Sequence, residues 1–490
     1  MSAIMMTGGS VGAEDVTPGY ILYTLGGPGG FTNQTTTFLR EVDEFGSISG
    51  DAQSHTWTHG CGPASQAYLY PDHGVAVEDS VLFYPCRVDE PTMISGGVGG
   101  RVEIYDWSGD VLWTYELSNE TYQHHHDIAV LPNGNILMIA WERKSEQEWN
   151  LMGRLSVDNV LNEMWSTAIL EIQPNLKTGG AEVVWEWHLW DHMVQDVSVD
   201  HGALYAEDIS DHPELMDINH GLVGEPQFAG ADPCGDWMHI NAIDYNADLD
   251  QIVISSKFKG EIYIIDHSTT TAEAAGHDGG DWGRGGDFLY RWGNPSVYDR
   301  GDLADRYLFD PHGVNWIEGD YPGGGGLMLF NNRHENLNQS SALEIQPPVD
   351  AIGQYVIEPG EPYGPVLWDW IHEVGFYSSI QSGAYRQSNG NTLVTVALSA
   401  LIFEVSETGD IVWQFTDGFM IPRAIKYELS TFTSDLLLGD VNGDGQVNIV
   451  DVVVVVEMIL GSEYDNLADL TADGEVNLLD ILELVEFIVG

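Results

Sequence analysis

Positive charge is what this chain lacks most: 17 Lys and Arg stand against 76 Asp and Glu in 490 residues, a formal charge of −59. A field of that sign repels phosphate backbones and anionic lipid and attracts cations, so nucleic-acid binding is not expected. Cysteine is scarce too. Cys61, Cys86 and Cys234 match no zinc-ligand spacing and make an odd count; the working expectation pairs Cys61 with Cys86 and leaves Cys234 buried. No segment has the apolar length of a membrane-spanning helix, which speaks against membrane insertion. Residues 1–18 lack the basic start and long apolar stretch of an export signal and are read as an N-terminal segment, either a signal remnant or an arbitrary start. Helical periodicity is rare before residue 430.

What is abundant is acid, and one stretch uses it in a pattern. Asp440 to Asp451 reads DVNGDGQVNIVD, and Asp469 to Asp480 reads DLTADGEVNLLD. In a twelve-residue calcium loop, oxygen ligands come from positions 1, 3, 5, 7, 9 and 12, with glycine at 6 for the turn. The first copy offers Asp440, Asn442, Asp444, the Gln446 carbonyl, Asn448 and Asp451; the second offers Asp469, Thr471, Asp473, the Glu475 carbonyl, Asn477 and Asp480. Two Ca2+ ions are therefore expected. The region from Asp440 onward holds 12 acids and no base, so the rest of the chain keeps 64 acids against 17 bases and the acidity is global.

Asp at position 12 and one apolar run after each loop make residues 439–490 resemble the dockerin type I family. That resemblance implies a small calcium-folded module that docks into a cohesin-like domain, or onto a neighbouring copy, outside the cell or at its surface. Val452 to Leu460 and Leu478 to Val489 would be its helices, although five consecutive β-branched residues, Val452 to Val456, would also suit a strand. Asn33, Asn119 and Asn338 lie in glycosylation sequons, which fit a secreted chain.

Residues 19–430 read as one all-β body, followed by a linker at 431–438. Short alternating runs are separated by Gly, Asn and Asp turns. A phrase recurs in which an alternating strand, a turn and a strand carrying Trp follow one another: VEIYDWSGDVLWTYEL at Val102 and IFEVSETGDIVWQF at Ile402. The hairpins before them turn at Asn133-Gly134 and Asn389-Gly390. Repeats one four-stranded sheet long predict a β-propeller of six blades, near 19–60, 64–117, 122–195, 238–293, 310–371 and 376–430, with 196–237 as an insertion. A β-sandwich with insertions is the alternative.

Histidines fall where hairpin strands begin: His124-His125-His126-Asp127, His188 and His192, His239-Ile240-Asn241, and Pro311-His312-Gly313. On the inner strands of a propeller such residues converge, where they can bind metal, move protons or act as nucleophiles; each alone would more simply be a hydrogen-bonded structural histidine. The Asp-rich stretch HDGGDWGRGGD, His277 to Asp287, could hold a cation or be a solvated loop.

The segments HHDIAVLPNGNIL, WEWHLWDHMVQD, DWMHINAIDYNADLDQIVISSK, GGDFLYRWGNP, PHGVNWI and FYSSIQSGAYRQSNGNTLV, in this order, are similar to the bacterial arylsulfotransferases over about 100–426. The resemblance implies a six-bladed propeller that moves a sulfuryl group from an aryl sulfate to a phenol through a sulfohistidine, without a nucleotide donor. It places the nucleophile on His312, supporting groups on His126, His239 and Asn241, and the family's arginine on Lys257. Lysine keeps the charge but not the planar fork that grips two oxygens at once. Two functions follow: a secreted, calcium-tethered sulfotransferase-like enzyme, or an inactive propeller serving a calcium-dependent extracellular assembly. A carbohydrate-acting propeller rests only on the company dockerins keep.

Overall fold

A computed structural model describes residues 16–26, 35–50, 54–224, 233–334, 338–364, 366–370 and 375–432, together with 439, 441, 447–461, 468, 470–471 and 476–489. The chain divides into two compact units, one of Met1–Tyr68 with Leu82–Lys426 and one of Leu69–Val81 with Tyr427–Gly490.

Six four-stranded antiparallel sheets form a six-bladed β-propeller. Blades two to five run consecutively from inside to outside, the third being Tyr122–Val130, Ile136–Lys144, Met164–Asn175 and Gly180–His188, and the fourth Ile240–Asn246, Gln251–Ser256, Glu261–Asp266 and Tyr290–Trp292. Blade five begins with His312–Trp316, and blade six, which begins with Gly383–Arg386, ends at Ile411–Thr416. The last strand, Ala424–Glu428, does not belong to blade six as its predicted span to 430 implied; it is the first strand of blade one, beside Gly19–Thr24. The ring is thus closed by strands distant in sequence, a pairing that no local pattern encodes. The insertion begins earlier than expected, because Met193–Gln195 leaves blade three to pair in parallel with Leu204–Tyr205 and Met216–Asp217.

Apolar alternation explains why the blades stack. Buried side chains of neighbouring sheets interdigitate, as where Ile21, Tyr23 and Val42 of blade one meet Leu393, Ile402 and Trp413 of blade six. The tryptophan of the recurring phrase adds a directional bond. The Nε1–H of Trp57, Trp113, Trp185 and Trp413 donates to Asp106 O, Gly180 O, Thr269 Oγ1 and Gly46 O respectively, at 2.8–3.2 Å. Each reaches from an outermost strand to the outer turn region of the next blade. Gly46 sits at φ +72, a left-handed conformation that favours glycine, and a Cβ there would press on Trp413 Cδ1 at 3.0 Å.

Cys61 and Cys86 form a disulfide with Cα atoms 5.9 Å apart, and Cys234 is a buried free thiol, as expected. In the second unit, Ile449–Gly461 and Leu478–Val489 are helices, so the valine run is helical. Asn448 and Asn477 accept from the N–H of Val450 and Leu479 and cap these helices. Val455, Ala468 and Leu484 form the small buried core. The Leu69 N–H donates to the Tyr427 hydroxyl at 3.0 Å within the same unit. Among the described residues no helix is long and apolar enough to cross a membrane.

Candidate functional site

Inner strands of blades three, four and five lie against one another, and each is broken at its histidine. The register shifts between His124 and Ile128, between Ile240 and Ala242, and between His312 and Asn315. A bulge adds a residue on one strand and re-aims the side chain there. Backbone conformation agrees: His126 and His239 are left-handed at φ 55 and 51, and Asp310, two residues before His312, is at φ 57. Such conformations each cost about 1–3 kcal/mol in non-glycine residues, and three of them meet at one place.

The bulges bring His126, His239, His312 and Lys257 together. The His126 and His239 rings meet edge to face at 4.8 Å between centroids. Gly97 makes room, since a Cβ there would fall 2.0 Å from His126 Nε2. His239 is held by a buried carboxylate: its Nδ1 is 2.5 Å from Asp236 Oδ2 and its backbone N–H donates to Asp236 Oδ1 at 3.0 Å. Trp141 Nε1 and Ser95 Oγ donate to the same carboxylate. Lys257 follows the second strand of blade four, its backbone N–H donating to His239 O at 3.1 Å and its ammonium 5.8 Å from the Phe258 ring centre.

The tautomer of His312 follows from its partners. Its Nδ1 lies 2.9 Å from Asp310 O and 2.8 Å from Asn332 Oδ1. Asn332 is oriented by donating its amide to Ser378 O and Gln381 O, so both groups facing Nδ1 are acceptors. Nδ1 therefore carries the hydrogen and Nε2 the lone pair. Burial pushes His312 down to about 3, and the Lys257 charge works in the same direction. His126 is driven well below the usual histidine range by burial, with His239, His125, His312 and Lys257 adding to it. His239 is lowered by burial against the opposing pull of Asp236. The three histidine rings are neutral at physiological pH, and Lys257 carries the charge beside them.

Asn241 stands beneath this group. Its Nδ2 donates to Pro311 O at 2.7 Å and its Oδ1 accepts from Ser255 Oγ at 2.7 Å, which fixes the segment carrying His312. His188 and His192 do not join the cluster; His188 sits 3.5 Å from Glu142 on the outermost strand of blade three. The orienting groups Asp236 and Asn332 went unnoticed in the sequence, although Asp236 stands three residues before His239. A further network was equally hidden: Arg423 Nη2 donates to Asp127 Oδ2 and Ser65 Oγ, each at 2.8 Å, while Tyr68 donates to Asp127 Oδ1 at 2.8 Å. It neutralises the carboxylate next to His126, and Arg423 Cδ would lie 3.6 Å from a Cβ on Gly313.

In the C-terminal unit, Asp451 is buried and accepts from the N–H of Val441 and Asn448, and Asp480 from the N–H and hydroxyl of Thr471 and the N–H of Asn477, all at 2.8–2.9 Å. Of the twelve expected calcium ligands, Asp440, Asn442, Asp444, Gln446, Asp469, Asp473 and Glu475 lie outside the described residues.

Residues 86–416 match the Arylsulfotransferase (ASST) family and residues 438–488 the dockerin type I domain. The chain belongs to the arylsulfotransferase family and carries a C-terminal dockerin type I domain, a domain type that typically binds calcium. It is similar to the arylsulfate sulfotransferase AssT of Escherichia coli O6:H1, 23% identical over 316 residues, which are 62% of this chain and 50% of that protein. The matched region thus spans about half the length of that relative. Among solved structures it is similar to the periplasmic gluconolactonase PpgL of Pseudomonas aeruginosa (14% identity, TM-score 0.42, 84% of this chain and 100% of that one). It is also similar to virginiamycin B lyase of Staphylococcus aureus (10% identity, TM-score 0.33, 83% and 86%). Neither likeness bears on function.

Proposed function

We propose that residues 19–430 form a sulfotransferase that moves a sulfuryl group from an aryl sulfate to a phenol, and that residues 439–490 tether it outside the cell by docking into a cohesin-like domain. The observation that carries the first half is His312 itself: a neutral ring whose Nδ1–H is fixed by two acceptors, leaving Nε2 as a nucleophile beside His126, His239 and Lys257.

In the reaction, His312 Nε2 attacks sulfur as the S–O bond to the donor phenol breaks, and the donor departs as a phenolate beside the Lys257 ammonium. The sulfohistidine then transfers its group: His239 Nε2, with Nδ1–H held by Asp236, accepts the proton of the incoming phenol, whose oxygen attacks sulfur as the N–S bond breaks. His312 is regenerated, and His239 passes the proton it gained to the departed phenolate by way of solvent, which returns its ring to the neutral form. Lys257 and the amide of Asn241 supply donors for the sulfuryl oxygens, and Arg423 offsets the Asp127 charge.

Two Ca2+ ions held by the twelve loop residues would order the C-terminal module, Asp451 and Asp480 each closing one loop. Exposed apolar side chains on its helices, Ile449, Val450, Val453, Leu478, Leu479 and Leu482, fit a protein partner. The Cys61–Cys86 disulfide suits an oxidising, extracellular setting.

A second reading, an inactive propeller serving as an assembly subunit, is favoured by Lys257, whose ammonium cannot grip two sulfuryl oxygens in a planar fork. The deciding assay supplies an aryl sulfate donor and a phenol acceptor in calcium buffer, follows phenolate release and traps protein-bound sulfate by mass. The expected result is a sulfated peptide containing His312, with turnover lost in His312→Ala while the fold is kept. No release and no adduct from folded protein would select the assembly reading; unchanged turnover in His312→Ala would sink the sulfohistidine.

A further inference from the structure

We propose that His192, His277 and Asp287 form a binding site for a zinc-class transition-metal ion, separate from the histidine cluster and independent of sulfuryl transfer. His192 follows the outermost strand of blade three and is fully buried; His277 and Asp287 bracket the loop that leads into the outermost strand of blade four. One ligand atom from each of the three lies within 4.8 Å of the other two. His192 Nδ1 is 2.7 Å from Asp287 Oδ1, and His277 Nδ1 is 2.8 Å from the same oxygen.

The far side of His192 decides what lies between these atoms. Its Nε2 is 2.8 Å from the carbonyl oxygen of Ala274, an acceptor, so Nε2 carries the hydrogen. In the neutral ring the lone pair is then on Nδ1, aimed at the mostly buried Asp287 carboxylate. A proton shared between these two atoms or a metal ion held by both relieves the repulsion of the facing lone pairs, and the two compete for the place.

Two imidazoles and a carboxylate converging on one point are the donor set that Zn2+ and its neighbours prefer. The carbonyl on the remote nitrogen is the outer bond that orients a metal-bound imidazole. His277, with its side chain 57% exposed, leaves an open face where water can complete the coordination. The cradle is tight elsewhere. Trp187 stacks on His192 with 5° between the rings and donates its Nε1–H to Gly286 O at 2.7 Å, and a Cβ on Gly286 would fall 2.6 Å from His192 Nε2. A bound ion would clamp the 277–287 loop to blade three and join two blades by coordination.

The test uses the full chain, stripped of transition metals and kept in saturating Ca2+ so that the C-terminal loops stay loaded, then titrated with Co2+ and Zn2+. One equivalent should bind, with a visible d–d spectrum for Co2+ that Zn2+ abolishes and a rise in the propeller's Tm. His277→Ala, at an exposed position that leaves folding alone, and Asp287→Asn should each weaken binding about 100-fold or more. Absence of stoichiometric binding would overturn the site. Binding retained in His277→Ala but lost in His312→Ala would overturn it equally, by placing the ion on the channel histidines.

Discussion

The propeller and the C-terminal module meet the same difficulty, buried negative charge, with opposite means. Within the propeller three deep carboxylates each have a basic side chain of their own: Asp127 has Arg423, Glu261 has Arg291 and Glu404 has Lys426, with both members of every pair at most 2% exposed. The module has 12 acids and no base from Asp440 onward, and its buried Asp451 and Asp480 are held by N–H and hydroxyl donors. One region carries its counter-charges in the chain, and the other must take them from the solvent. Stability of the first should be indifferent to calcium, while folding of the second is coupled to it.

Chelation is the most severe way to break that contrast, and it has the largest expected effect. With excess chelator, helix 449–461 and helix 478–489 should lose amide protection completely while the six blades keep theirs, read by hydrogen exchange on the full chain. Protection that persists in both helices would mean that the module folds on hydrophobic contacts alone. Second in size is Lys426→Met. The Lys426 ammonium bonds to Glu404 Oε2 at 2.5 Å and to Thr17 O at 2.8 Å, and Thr17 donates back to Glu404 Oε1, so the pair ties the closing strand to blade six and to the chain start. Removing the lysine leaves a buried carboxylate unpaired, which costs about 3–5 kcal/mol. Denaturant unfolding should show that loss in the propeller transition alone.

Smaller still is Trp413→Phe, which keeps the ring and deletes the indole donor to Gly46 O. Loss of a bond to a carbonyl that stays partly shielded is worth about 1–2 kcal/mol. An equal loss on truncating Trp113, bonded to Gly180 O at 2.8 Å, would establish that the recurring tryptophan acts identically at different blade junctions. A destabilisation at one position and none at the other would break the equivalence of the repeats.

What could be read in the sequence was what is local. Strand alternation, Asn-Gly turns and the tryptophan phrase mark the blades, and two ligand-spaced loops mark the module, because each signal spans fewer than twenty residues. The closing strand Ala424–Glu428 could not be read, since its partner Gly19–Thr24 is some four hundred residues away. At the candidate site, motif likeness named His126, His239 and His312, but the bulges that converge them, and the groups that fix their tautomers, arise from pairing between strands. Asp236 is near enough in sequence to have been suspected. Asn332 acts from the turn after the second strand of blade five, Arg423 from just before the closing strand, and Gly97 from the blade before, and none bears a local mark. Lys257 was named because the resemblance places the family's arginine there, and its backbone bond to His239 became visible only in three dimensions.

The smallest expected effect is none at all, and it concerns the nucleophile. An exposed histidine titrates near 6.5. For His312, burial and the Lys257 charge both disfavour the protonated ring, lowering its midpoint to about 3. The folded state thus takes up no proton at His312 between pH 8 and 5, whereas the unfolded chain takes one up as pH falls through 6.5. By linkage this group's contribution to stability is complete above 6.5 and declines as pH falls from there toward 3. The ring signals of His312, assigned by their loss in His312→Ala, should stay fixed in an NMR titration from pH 8 to 5. A His312 midpoint near 6.5 would show that the site is open to water and its ring protonated for part of the physiological range. The nucleophilic lone pair would then be available only on the alkaline side, and sulfuryl transfer would fall with acid at that same midpoint. A flat titration instead assigns any acid limb in the transfer rate to another group, with Asp236-bound His239 the first to examine.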